Sequence, residues 1–174
     1  MNTVDPLVVE MILGLPTTPA FVANELFDVL ASNPIARAVT PKFAVGMNLA
    51  RAAFIDPLGH EGMLEWDRIS DHMVGLLKEN LATSADVLPL ERLLSELASG
   101  NSGFTGAWAS AVIPVDYVVA LTMDHPKVGR MAVTYQPLRL PATGQTLVLG
   151  NVEPGSESEE RLFRLAATLG PVGS

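Results

Sequence analysis

The hydrophobic rhythm of the chain changes once, and that change constrains the fold more than any other feature. Between Trp66 and Leu97 apolar residues recur three and four apart, whereas from Val115 onward they alternate. Trp66, Ile69, Met73, Leu76 and Leu77 make a helical stripe, with Glu65, Asp67, Arg68 and Lys78 mostly on other faces. Leu90, Leu93, Leu94 and Leu97 repeat the pattern after Pro89, and Gly100 ends it. Phe104 and Trp108 follow, four apart, after a Ser102 cap. Val115, Tyr117, Val119, Leu121 and Met123 then share one strand face, the segment from Asp124 to Gly129 turns, and Met131, Val133 and Tyr135 continue on one face. Pro141 to Gly144 is a second turn, and Thr146 to Val152 a third strand.

Thirteen prolines and fourteen glycines punctuate the remainder. Asp5-Pro6 sets a cap before a proline at a first helical position; Leu7, Val8, Met11 and Ile12 follow, and Gly14 stops the helix. Pro16 and Pro19 exclude any continuation. Ala20–Ala23 and Phe27–Ala31 read as a hairpin across Asn24-Glu25-Leu26. Asn33-Pro34 opens another helix through Ile35 to Val39. At the far end Ser156 and Glu159 resemble a capping box ahead of Leu162, Leu165, Ala166 and Leu169, with Gly170 and Pro171 as the stop.

The expected fold is therefore α+β. Five short strands form an antiparallel sheet with the central helices on one face and flanking helices at either end. Such a sheet cannot cover itself, so an apolar interior lies between sheet and helices. This element order is that of the PAS-like plan, in which that space can hold a ligand.

Composition removes several function classes. Without cysteine there is no disulfide framework, thiolate nucleophile, iron–sulfur cluster or Cys-containing zinc site, and such a chain suits a reducing cytoplasm. Eleven Lys and Arg against nineteen Asp and Glu give a net charge of −8, with no basic run, a poor match to nucleic acid. Apolar stretches such as Ala107 to Val115 are too short to span a bilayer, and no secretory signal opens the chain. No nucleophile elbow, phosphate loop or dinucleotide fingerprint is present; Gly100-Asn101-Ser102-Gly103 has the wrong spacing for the first.

Histidine supplies the remaining catalytic handle. His60 and Glu61 with Asp67, Asp71 and His72 can be assembled on paper into a metal site, but the spacing does not force them onto one face. His125 reads as a turn residue. Asp116 and Asp124, eight apart on one strand, lie roughly 27 Å from each other at strand rise, too far for an acid/base pair. The expectation is a non-enzymatic domain with no metal and no cofactor.

The side chains expected to line a ligand pocket are Phe21, Leu49 and Phe54 early in the chain, and Trp66, Met73, Leu77 and Trp108 from the helices. The strands would add Tyr117, Val119, Met131, Val133 and Tyr135. Met11, Met47, Met63, Met73, Met123 and Met131 are spread across elements expected to face one interior, where Met adapts to variable shapes. Arg51 is a candidate partner for a ligand carboxylate, the alternative being a surface arginine or one paired with Asp56.

Several stretches in order resemble a known family. They include Thr18 to Asn24, Leu26 to Ala38, Asn48-Leu49-Ala50-Arg51, Phe54-Ile55-Asp56-Pro57, Leu94 to Leu97, and Phe104 with Trp108. The order continues through His125 to Gly129, the strand through Tyr135, Leu138 to Pro141, Gly144 to Val148, and Glu153-Pro154-Gly155-Ser156. Together they resemble the MmyB-like ligand-binding domain, a module that follows an XRE-type helix-turn-helix in bacterial transcription regulators. The resemblance implies a PAS-like sensor with an apolar pocket for a fatty acid or similar lipid. It also implies a single sensor domain over residues 1–174, with the DNA-binding helix-turn-helix absent from this chain. Where the family usually carries Arg-His-Asp after the Trp and then a basic strand, this chain has Ser110-Ala111-Val112 and a strand without basic residues. The second reading is a homodimerisation or interaction module with a filled core, pairing through a face to which Val118 and Ala120 contribute.

Overall fold

The computed structural model describes residues 3–56, 62–110 and 117–170. The first helix, α1 (Pro6–Leu13), starts where proline and a cap require it: Asp5 accepts from the Leu7 amide at 2.8 Å, and Gly14 closes it. Strands β1 (Ala20–Ala23) and β2 (Val29–Ser32) form the expected hairpin, although β2 begins two residues later than the pattern suggests. The reason is Asn24. Its Oδ1 accepts from the Leu26 and Asp28 amides, both at 2.9 Å, which winds residues 24–28 into a loop. Helix α2 (Pro34–Val39) follows its Asn33 cap.

Two elements carry no strong sequence signal: a 3-10 turn at Pro41–Phe43 and the short helix α3 (Leu49–Phe54), capped by Asn48. The middle of the chain is α4 (Trp66–Thr83), α5 (Leu88–Gly100) and α6 (Ser102–Ser110). The first amides of α6, those of Gly103 and Phe104, donate to Asn101 Oδ1, so Asn101 supplies the cap expected from Ser102. The strands β3 (Val119–His125), β4 (Gly129–Arg139) and β5 (Thr146–Asn151) come next, and α7 (Glu157–Ala167) closes the series. Val115 and Asp116, expected to open β3, lie outside the described residues. At the start of α7, Ser156 Oγ accepts from the Glu159 amide and Glu159 Oε2 accepts from the Gly155 amide, the two arms of the expected box.

The five strands form one antiparallel sheet in the order β2-β1-β5-β4-β3, the PAS-like arrangement within an α+β fold. Both edges are covered by passing chain. Val29 exchanges hydrogen bonds with Gly46 and Met47 beside β2; Leu64 donates to Thr122 and Asp124 to Gly62 beside β3. Side-chain alternation then sets the layers. Ala20, Val22, Ala31 and Leu147 face α1 and pack with Ile12 and Val4, so the N-terminal flanking helix lies on one face of the sheet. Phe21, Leu121, Met131 and Val133 face the other way, toward α2 and α7.

α7 also fills a gap at β4. β5 pairs only with Thr134 to Arg139, leaving the earlier half of that β4 edge open. There Ser158 Oγ accepts the Ala132 amide at 3.0 Å, and Arg161 donates to the Arg130 carbonyl. His125, expected as a plain turn residue, is buried: its Nδ1 accepts from the Lys127 amide at 3.2 Å, leaving Nε2 to donate to Ala38 O at 2.9 Å. The β3–β4 turn is thereby tied to α2. Among the described residues no helix is long and apolar enough to cross a membrane.

Candidate ligand site

The interior between sheet and helices is not one packed core. One cluster holds the inward side of the sheet with α2 and α7; another holds α3, α4, α5 and α6 around Leu77, Leu90 and Leu97. Between them lies a cavity of about 520 Å³, within the usual range of roughly 300–1,000 Å³ for small-molecule sites.

Strand register lays out its floor in rows. Ala23, Thr146 and Arg139 face one another across β1, β5 and β4; Phe21, Val148 and Pro137 form the next row; Tyr135 and Val119 lie deeper. All of these line the cavity. The opposite wall is chiefly α4, where Trp66, Ile69, Met73, Leu76 and Asn80 recur at helical spacing.

That wall explains one correction. Leu77 does not line the cavity: with Val74 it occupies a second stripe of α4, buried against α5. A helix turns ~100° per residue, so Leu76 and Leu77 cannot share a face completely. Phe54 and Trp108 also belong to the helical cluster, and both pack on Phe104, with ring centroids 4.9 and 5.8 Å away. Lys78 Nζ sits 5.3 Å from the Trp108 ring centroid. Met131 and Val133 face inward but are fully buried in the sheet cluster that includes Leu162 and Leu165, so the open space begins only at Tyr135. Of the methionines, Met63 and Met73 line the cavity, Met123 and Met131 are buried in the sheet cluster, and Met11 and Met47 are exposed.

Arg51 is also elsewhere. Its Nε and Nη2 bind Glu96 Oε1 and Oε2, each at 2.8 Å, in a fork joining α3 to α5. With side chains 46% and 45% exposed, this is a surface pair, and Asp56 is not its partner. The Glu96 hydrogen bond raises the Arg51 pKa and lowers that of Glu96.

Phe21, Leu49, Trp66, Met73, Tyr117, Val119 and Tyr135 line the cavity wall. Phe27 and Phe43 also line it, without having been expected. Phe43 stacks on Phe21 at 4.4 Å and meets Tyr135 edge-on at 5.4 Å. Phe27 has a φ of 65°, a strained conformation for a bulky residue. The Asn24 turn and Asn48, which donates to Leu26 O at 2.7 Å and Asp28 Oδ1 at 2.8 Å, hold it there. Phe27 thus stands between the cavity and the helical cluster.

Several polar side chains on the wall are engaged. Tyr117 donates to Glu79 Oε1 at 2.6 Å, which raises the phenol's pKa; Asn80 donates to Glu25 O at 2.8 Å. Tyr135 differs from these. It is 4% exposed, its hydroxyl has no hydrogen-bond partner among the described residues, and burial pushes its pKa upward. Gly150 makes room for that ring: a Cβ there would come within 2.9 Å of Tyr135 Cε1.

His60 and Glu61 of the paper metal site lie outside the described residues, as does Asp116. Among the described residues no three His, Asp or Glu side chains gather closely enough to hold a metal ion. Asp124 is paired with Arg130 at 2.8 Å.

A PAS-like sheet holding an apolar hollow beneath its helices is the build of a domain that encloses a small molecule. Residues 4–166 match the family model described as the MmyB-like transcription regulator ligand binding domain, and the chain belongs to that family. No curated protein matches the chain.

Proposed function

We propose that this chain is the sensing part of a bacterial transcription regulator, taking an apolar small molecule with a long acyl chain into the cavity between sheet and helices. It acts without catalysis and in the cytoplasm. Contact with DNA is left to a helix-turn-helix, since the charge of −8 here repels phosphate. One observation carries this reading: a hollow of about 520 Å³ separates two otherwise well-packed clusters, walled by side chains such as Phe21, Leu49 and Met73. The unpartnered Tyr135 hydroxyl supports it, because an unsatisfied buried donor costs about 1–3 kcal/mol that a bound polar atom relieves.

At ~0.8 kcal/mol per buried CH₂, a chain of about ten carbons contributes roughly 8 kcal/mol gross. An association cost of at least ~4 kcal/mol leaves about millimolar affinity at best unless a polar anchor adds to it. Native mass spectrometry of protein purified from cells tests the reading: a co-purifying mass, released by solvent and lost on unfolding, is expected. A protein that emerges empty and takes up neither long-chain acids nor long-chain alcohols overturns it.

A further inference from the structure

The sheet floor of the cavity changes polarity along its length. Moving outward along the floor, the row Phe21, Val148 and Pro137 is apolar, and the next row, Ala23, Thr146 and Arg139, carries the sheet's first inward charge. Along β4 the positions Tyr135, Pro137 and Arg139 share one face, so the guanidinium's strand position is roughly 13 Å from that of Tyr135.

Arg139 is exposed, and its side chain makes no hydrogen bond or ion pair among the described residues. Its neighbour in the β4–β5 turn is Gly144, with a φ of +70°; a Cβ there would lie 3.8 Å from Arg139 Nη2, so the turn passes close without crowding. The two carboxylates at this cavity are engaged on the α4 side: Glu79 accepts from Tyr117 at 2.6 Å, and Glu25 Oε2 from Ser84 at 3.1 Å. Lys42, also on the wall, adds a second positive charge.

We propose that Arg139 is the head-group anchor and specificity-determining residue of this cavity, which selects long-chain carboxylates over neutral amphiphiles of equal length. The inference rests on the cavity being the ligand site. A carboxylate at the mouth meets the guanidinium fork in bidentate geometry. The acyl chain then lies inward over Pro137 and Val148 toward Tyr135. This assigns to β4 the role that the sequence suggested for Arg51, whose fork is already filled by Glu96.

Isothermal titration of the full, delipidated chain at pH 8 with dodecanoate and with dodecan-1-ol tests the assignment. The wild-type chain should bind the acid at least about tenfold more tightly than the alcohol. Arg139→Met should abolish that preference by weakening the acid alone, Arg139→Lys should keep part of it, and Arg51→Met should leave both affinities unchanged. Thermal unfolding of each variant shows that it folds. An unchanged preference in Arg139→Met, equal weakening of acid and alcohol, or wild-type binding of the alcohol without the acid overturns the anchor while leaving the cavity reading in place. Binding of neither compound by the wild-type chain overturns the cavity reading and the anchor with it.

Discussion

Tyr135 concentrates much of what is unusual in this molecule. Its ring is held between Phe43 and the bare backbone of Gly150, while its hydroxyl lies buried without a partner among the described residues. The chain has two tyrosines, and both are held above the ordinary range: Tyr117 by its hydrogen bond to Glu79, Tyr135 by burial. A raised phenol pKa means that the folded state keeps its proton more tightly than the unfolded one. The resulting stability is fully present below the unfolded value near pH ~10 and is lost as pH climbs through the folded value. In a spectrophotometric titration tyrosinate absorbance should therefore lag behind that of free tyrosine, with the last step coinciding with unfolding. Tyr135→Phe should remove that step and extend the alkaline limit. Two independent titrations at the free value would show that neither hydroxyl is held as described. Gly150→Ala should cost about 1–3 kcal/mol, read from a urea midpoint, because the new Cβ meets Tyr135, Val133 and Pro19 within 3.2 Å.

Among the elements, the junction of α1, β1 and α2 depends on one side chain. Asn33 is fully buried; its Oδ1 accepts from the Ala20 and Ala36 amides at 3.0 Å, and its Nδ2 reaches Ile12 O, Leu15 O and Thr18 O within 3.0 Å. The sequence identified Asn33 as a helix cap through the Asn-Pro pair, but capping uses only the oxygen. Asn33→Ala should cost about 2–4 kcal/mol, the loss of a cap plus buried groups left unpaired. Asn33→Asp keeps the acceptor but sets a carboxylate against three carbonyls, so it should be no better; a near wild-type urea midpoint for Asn33→Asp would reduce Asn33 to a cap. The contrast explains what could be read in advance. Periodicity and capping are local, and they located α1, α4, α5, α7 and the late strands. α3 is six residues long and declares itself only through Asn48, which also binds the β1–β2 loop. Leu77 and Leu76 were indistinguishable by spacing, since which stripe of α4 meets the cavity depends on where α5 docks. Arg139 carries no distinguishing signal in the sequence; the β4–β5 register places it beside Thr146 at the cavity.

For the molecule as a whole, the hollow divides two packed clusters that are linked across it, among the described residues, by polar contacts such as Tyr117 to Glu79 and Asn80 to Glu25. An occupant touching both clusters must therefore stabilise the native state by its own binding energy. At about 100-fold excess over Kd that linkage is worth ~2.7 kcal/mol, or a rise of about 5–10 °C in Tm for a chain of this size. Val148 lies at the centre of the floor, half-buried between Phe21 and Pro137. Val148→Phe fills that space from the protein side, adding apolar contact where none exists. The variant should unfold at or above the wild-type temperature without ligand, yet lose most of the rise that dodecanoate produces in wild type. Differential scanning calorimetry with and without dodecanoate separates the two effects. A Val148→Phe chain that keeps the full ligand-induced rise places the binding surface outside the hollow, and one that unfolds well below wild type shows the floor to be too tightly packed to accept an added ring.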